Sequence, residues 1–273
     1  MAQSSAVKTV KLESYKRIDK PGRDEVSGII KSRRHKGLYW VHGDSGTEPK
    51  IYAVNREGQM FEGEDYKGLR IGNTQNIDWE DIAADTKGNI ILADIGNNCT
   101  CRQNLSLYIF PEPASSDSAT HDWKRIKIKY PGEKRLWGLL DSPSYNAEAV
   151  FEWKEGIYII TKVSGWNSSR LFELKEYSEN EVNVLKEKAE FQFDDEVTAA
   201  DIYPEKAILA VLSYSTIWLF SDFEGTDFFS GTVKKLPYKR GGQTEAIAFD
   251  DENTLIVTNE RGDLFEVALS DFK

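Results

Sequence analysis

Short apolar runs alternate with polar turns along this chain, and the alternation returns five times at a spacing of about fifty residues. Each unit holds a short apolar strand, a polar turn, a strongly apolar strand, a small polar turn and an aromatic-rich strand. The first unit places these strands at residues 25–30, 38–42 and 50–54, and the second at 80–83, 90–94 and 105–110. The third unit uses 148–151, 157–161 and 170–174, the fourth 200–203, 208–212 and 216–220, and the fifth 245–249, 255–258 and 264–267. β-Branched and aromatic runs bounded by Gly, Asp, Asn and Lys turns are strand and hairpin signals. No segment keeps a 3.6-residue apolar period over three turns, so helices are not expected.

A fourth, half-wet strand follows several units, at residues 124–130, 189–193 and 231–236. In the first of these Ile126, Ile128 and Tyr130 fall on one face. The pattern predicts an all-β chain with one domain over residues 1–273, a five-bladed β-propeller of four-stranded antiparallel blades. The fifth unit ends after three strands, and residues 6–12 precede the first unit without a blade of their own. That N-terminal strand is expected to close the last blade and protect the open edge. A six-bladed ring, with a degenerate blade in residues 132–146, is the second choice, and a many-stranded sandwich ranks below both.

Composition sharpens the picture. Apolar residues make up 40% of the 273 and aromatics 12%, with seven Trp and twelve Tyr, which is enough to fill a core. The longest apolar run, residues 207–212, is far too short to span a bilayer. Lys and Arg number 35 against 45 Asp and Glu, giving a net charge of −10 that disfavours nucleic acid. The one dense basic run, residues 31–36, reads as a solvated hairpin tip. Met1 to Ser5 lacks the basic and apolar segments of a signal peptide, although a mature exported chain also starts this way. The compartment stays open, with a periplasmic or secreted setting preferred, and a monomer is expected. Cys99 and Cys101 cannot make a zinc set with three His, and a Cys-x-Cys disulfide is strained enough that it is not the expected state. Three glycosylation sequons, at Asn98, Asn104 and Asn167, match the frequency expected by chance.

In a propeller the innermost strands line a channel, and their first residues emerge on one face with the turns between second and third strands. Glu80, Glu148 and Glu245 hold the same place in the repeat, while the fourth unit offers Ala200 and moves its acid to Asp201. In the first unit the register is open between Glu25 and Ser27. The second-strand ends add His42, Asp44, Asp94, Asn97, Asn98, Lys162, Tyr214, Asn259, Glu260 and Arg261 to the same face. Two carboxylates about 5 Å apart repel by roughly 3 kcal/mol at an effective dielectric of 20, so a cation, a basic side chain or a proton must relieve such a ring. Oxygen donors with interspersed amides suit Ca²⁺, or Mg²⁺, better than zinc or copper. Alternatively the acids cap strand amides and pair with Lys162, Arg102 and Arg261. Two short matches carry no weight. Residues 43–46 echo a serine-protease loop without its partners, and residues 94–98 echo a calcium loop whose Gly96 reads as a turn residue.

Residues 78–83, 93–98 with Arg102, and 108–113 together resemble a group of poorly characterised, mostly bacterial β-propeller proteins. Residues 26–29, 42–46 and 243–248 fit the same pattern, so the likeness runs over about residues 25 to 265. More distantly the chain is similar to NHL-repeat and SMP-30/gluconolactonase-like propellers, whose lactonases hold a catalytic Ca²⁺ with Glu, Asn and Asp side chains. That resemblance implies a channel metal, although a complete lactonase ligand set has no residue-by-residue match here, and the superfold hosts many functions.

Three functions follow. The first is a non-catalytic propeller that binds a small molecule, glycan or protein at the charged face. There His42, Asp44, Asn98, Arg102, Lys162, Tyr214 and Arg261 contact the ligand, and Tyr214 and Trp166 offer stacking surfaces. The second is a lactonase or esterase in which Glu80, Glu148 and Glu245 with Asn97 or Asn259 hold Ca²⁺ and Asp94 activates water. The third, ranked last, is a glycoside hydrolase with two carboxylates across a sugar.

Overall fold

In the computed structural model, residues 9–132, 135–136, 139–140, 145–162, 168–239 and 241–273 are described. They form a five-bladed β-propeller whose only helical piece is the 3-10 turn Leu269–Asp271. The inner strands are Val26–Lys31, Trp79–Ala84, Ala147–Trp153, Val197–Tyr203 and Thr244–Asp251, one per blade. Each neighbours the next, and the fifth returns to the first, so the ring is closed. Outward from each inner strand the pairing is antiparallel to the outer strands Leu69–Ile71, Lys124–Lys129, Lys186–Phe191, Thr232–Lys239 and, in the last blade, Ser14–Arg17. Residues 132–146 supply only the hairpin of Arg135–Leu136 with Leu139–Leu140 among the described residues, not a sixth blade. Trp166 and Asn167 lie outside the described residues.

The ring is held by five apolar clusters, one between each pair of adjacent blades. Alternation explains why: strand side chains point in turn to the two faces of a blade, and both faces meet a neighbour. Trp40 and Trp79 fill the first interface, Tyr130 and Phe172 the second, and Phe151, Phe220 and Phe228 the third. Local turns agree with this register. Lys154 and Glu155 both take positive φ (49° and 65°), the backbone of a two-residue hairpin whose twist matches its strands.

The N-terminus departs from expectation. The strand that completes the fifth blade is Ser14–Arg17, paired with Asp263–Ala268; of the expected strand at residues 6–12, residues 6–8 lie outside the described residues. Of the rest, Val10–Lys11 runs parallel to the outer strand of the fourth blade instead. Ala119–Thr120 and Val182–Val184 do the same for the first and second blades. Each lies just before the outer strand of its own blade and reaches back to cover the edge of the preceding one, which hides its unpaired backbone groups.

Candidate functional site

The five inner strands share one irregularity. Pairing with the second strand skips one residue near the start, and the bulged residues are Ser27, Glu80, Glu148, Thr198 and Glu245. Such bulges re-aim a side chain, here at the mouth of the channel. The first unit therefore contributes Ser27, and the fourth contributes Thr198 in place of the expected Ala200. Ser27 and Thr198 donate to the backbone carbonyls of Glu80 and Thr244 in the next blade (2.8 and 3.0 Å). Asp201 lies deeper, accepting the N–H groups of Ile202 and Phe249 (both 2.8 Å). Asp81, fully buried, accepts those of Ile82, Val150 and Ala200 and so ties three blades together.

A second ring follows the second strands. The N–H groups of Asp44, Gly96, Lys162, Tyr214 and Glu260 donate to the carbonyls of Glu25, Asp78, Asn146, Glu196 and Gln243, the residues just before the inner strands. Four of these five positions send a side chain into the funnel, and in the second blade the position is a glycine. A Cβ on Gly96 would lie 2.0 Å from Glu80 Oε1 and 2.4 Å from Asp78 Oδ2. Its φ is not in the left-handed region. Gly96 is thus present for space, not for a turn, and the space is filled by two carboxylates.

The funnel is a cavity of about 240 Å³ lined by Asp44, Glu80, Asn98, Glu148, Lys162, Tyr214 and Glu245, with Val26, Ser27, Gln243 and Glu260. Carboxylate oxygens of Asp44, Asp78 and Glu80 lie within 4.8 Å of one another. Glu80 is 6% exposed, and no described residue donates a hydrogen bond to its carboxylate. Burial, then the charges of Glu148, Asp44 and Asp78, push it well above the usual carboxylate range. Burial and Asp44 also raise Asp78, against Arg102.

Across the funnel the acids are partnered. Lys162 Nζ donates to Glu148 Oε2 (2.8 Å) and to the Tyr214 hydroxyl (3.0 Å), which donates to Glu245 Oε1 (3.0 Å). Asn146 Nδ2 reaches both Glu148 and Asn98 (3.0 Å each). Burial lifts Glu148 to about 7, with Lys162 opposing, and lifts Glu245 to about 8, with the Glu148 charge adding. Burial disfavours the Lys162 ammonium, yet Glu148 and Tyr214 outweigh it and hold the group charged.

The remaining sequence candidates lie off the cavity lining. Asp94 is buried, ion-paired with Arg102 (2.7 Å), and accepts the Asp78 N–H. Asn97 anchors its loop, accepting the Arg102 N–H (2.8 Å) and donating to the Tyr145 carbonyl. Asn259 accepts from Arg261 and Asp263 in the equivalent turn of the fifth blade. Arg261 is mostly exposed and pairs with Asp263. His42 is fully buried below the funnel, where desolvation lowers it to about 4, and Gly28 lacks the Cβ that would strike its ring. Cys99 and Cys101 form a disulfide, contrary to the sequence expectation.

No family model and no curated protein sequence matches the chain. Among solved structures, a chain of a nidogen/laminin complex is similar over 91% of this chain and 77% of its own, with TM-score 0.51 and 10% identity. The PQQ-bound aldose sugar dehydrogenase from Streptomyces coelicolor follows at TM-score 0.47 and 11% identity, covering 94% of this chain and 98% of that one. A structural genomics protein of unknown function from Bacteroides thetaiotaomicron reaches 0.45 at 8% identity, covering 94% and 72%. At these identities the likeness is one of propeller fold alone. No helix among the described residues is long and apolar enough to cross a membrane.

Proposed function

We propose that this chain is a ligand-binding propeller whose funnel takes a divalent cation of the Ca²⁺ type on Asp44, Asp78 and Glu80. One observation carries the reading: the carboxylates of Asp44, Asp78 and Glu80 converge, two of them in the space left by Gly96, and the most buried accepts no hydrogen bond from the described residues. Ionised together at this separation they repel by about 3 kcal/mol per pair at an effective dielectric of 20, before water screens the half-buried Asp44. A hard cation relieves that cost, and an all-oxygen donor set suits Ca²⁺, with Mg²⁺ the smaller alternative. The Glu148–Lys162–Tyr214–Glu245 chain then forms the opposite wall, offering charged and hydrogen-bonding groups to a small molecule, a glycan or a protein segment.

Calorimetric titration of Ca²⁺ and Mg²⁺ into EDTA-dialysed protein tests this, with a melting curve on each sample. One equivalent bound and a higher Tm, both lost in Glu80→Gln and Asp78→Asn, are expected. No heat and no Tm change at millimolar free cation would sink the reading.

A second reading, hydrolysis of lactones or esters, draws support from two cavity carboxyls that titrate near neutrality, as acid–base groups must. Bound metal would polarise a carbonyl, and Glu148 and Glu245, rather than the ion-paired Asp94, would move the proton. A lactone and ester panel assayed across pH 6–9 with Ca²⁺ added separates this from binding alone.

A further inference from the structure

Beside the funnel, the loop of residues 97–102, exposed at residues 98–101, carries a feature that cation binding does not use. Cys99 and Cys101 are joined across a single intervening residue, and both are exposed. Disulfides stabilise chiefly by closing long loops, and this one closes almost the shortest possible. The loop is also clamped without it. Asn97 N–H donates to Asn146 Oδ1 (2.6 Å), and Arg102 reaches the Gly96 carbonyl (2.5 Å) and Asp94 (2.7 Å). A structural staple is therefore redundant here.

The intervening residue is strained. Thr100 takes φ 50°, in the left-handed region, where a β-branched side chain is an outlier. Opening the S–S bond frees Thr100 to leave that region, so strain is relieved in the reduced form. Exposed, strained disulfides are the more oxidising and labile ones.

We propose that Cys99–Cys101 is a thiol-exchange site at the rim of the funnel, accepting two electrons from a dithiol. A thiolate of the dithiol attacks one exposed Sγ, a mixed disulfide forms, and the Cys99–Cys101 bond breaks to release the other cysteine as thiolate. The second thiol of the donor then attacks its own sulfur in the mixed disulfide and leaves as the cyclised, oxidised dithiol. The two protons of the donor end on Cys99 and Cys101. The exchange bears on the funnel through Asn98, which lines it and shares the Asn146 amide with Glu148. It does not depend on whether a cation binds.

The test equilibrates the full chain in glutathione and dithiothreitol buffers, then counts free thiols by alkylation and mass spectrometry. Reduction of the folded protein by millimolar glutathione is expected. Thr100→Asn, which tolerates the left-handed backbone, is expected to shift the equilibrium about tenfold towards the disulfide. A Cys99→Ser/Cys101→Ser double variant should melt within a few degrees of the parent. A bond that resists millimolar dithiothreitol in the folded protein would overturn the proposal. So would an equilibrium unmoved by Thr100→Asn, or a double variant that loses most of its stability.

Discussion

Gly96→Ala adds one methyl group at the position where the other four blades carry a side chain into the funnel. Its backbone needs no left-handed conformation, so the change tests space alone. The new carbon would lie 2.0 Å from Glu80 Oε1, and ordinary contact begins near 3.4 Å, so that oxygen must retreat by the difference, about 1.4 Å. Glu80 is walled in by protein, and Asp78, 2.4 Å from the same carbon, must move with it. Overpacking of this kind costs about 1–3 kcal/mol. Replacing glycine returns about 0.4–1 kcal/mol by restricting the unfolded chain. The net loss without metal therefore lies between about zero and about 2.6 kcal/mol, centred near about 1.3 kcal/mol. With Ca²⁺ at a hundred times its Kd the parent gains about 2.7 kcal/mol that a variant with a broken site does not, which widens the gap to about 4 kcal/mol. Urea unfolding with and without Ca²⁺ measures both numbers. A variant at least as stable as the parent without metal refutes the packing argument. One that loses stability yet binds Ca²⁺ with the parental Kd refutes the assignment of Glu80 and Asp78 to the cation.

Three further outcomes are expected. Because Glu148 and Glu245 are raised in the folded state to about 7 and about 8, the folded protein holds protons that the unfolded chain has released. Stability of the metal-free protein should thus fall as pH climbs from about 4.5 to 8, and melting curves across that range check the sign. Cation binding should strengthen over the same range and release protons, visible as a buffer-dependent heat in calorimetry. Asp81→Ala leaves three buried N–H groups without an acceptor and should cost about 3 kcal/mol or more in urea unfolding. Removing residues 1–17 strips the outer strand from the fifth blade and should abolish the cooperative transition in far-UV circular dichroism.

The five repeats were legible because each blade buries both faces of its inner strands, which forces apolar runs at a fixed spacing. The shared placing of Glu80, Glu148 and Glu245 was legible for the same reason. The fourth member of that ring was not, since Thr198 is no acid and the small Ala200 stands where Ile82, Val150 and Ile247 mark the register in other blades, so Ile202 passed for that landmark and Ala200 for Thr198. The closing strand was misplaced because an outermost strand with a wet face needs few apolar residues: Ser14–Arg17 shows little beyond Tyr15, while residues 6–12 alternate more clearly. Asp78 and Gly96 come together through the spacing of two loops in the second blade. The only trace of that meeting is a glycine which reads just as well as a turn.

The reach of the N-terminal segment sets a schedule for the chain's synthesis. Ser14 pairs with Phe265 and Val10 with Tyr238, so these strands wait for partners translated 251 and 228 residues later. The first and second blades, by contrast, gain their covering strands as soon as the next blade emerges. The arc of blades therefore stays open, with those strands unpaired, until the fifth blade has been made, and only then can the ring shut. Until then the inner strand of the first blade, later pressed against that of the fifth, stands bare, and this is the interval in which a chaperone has something to hold.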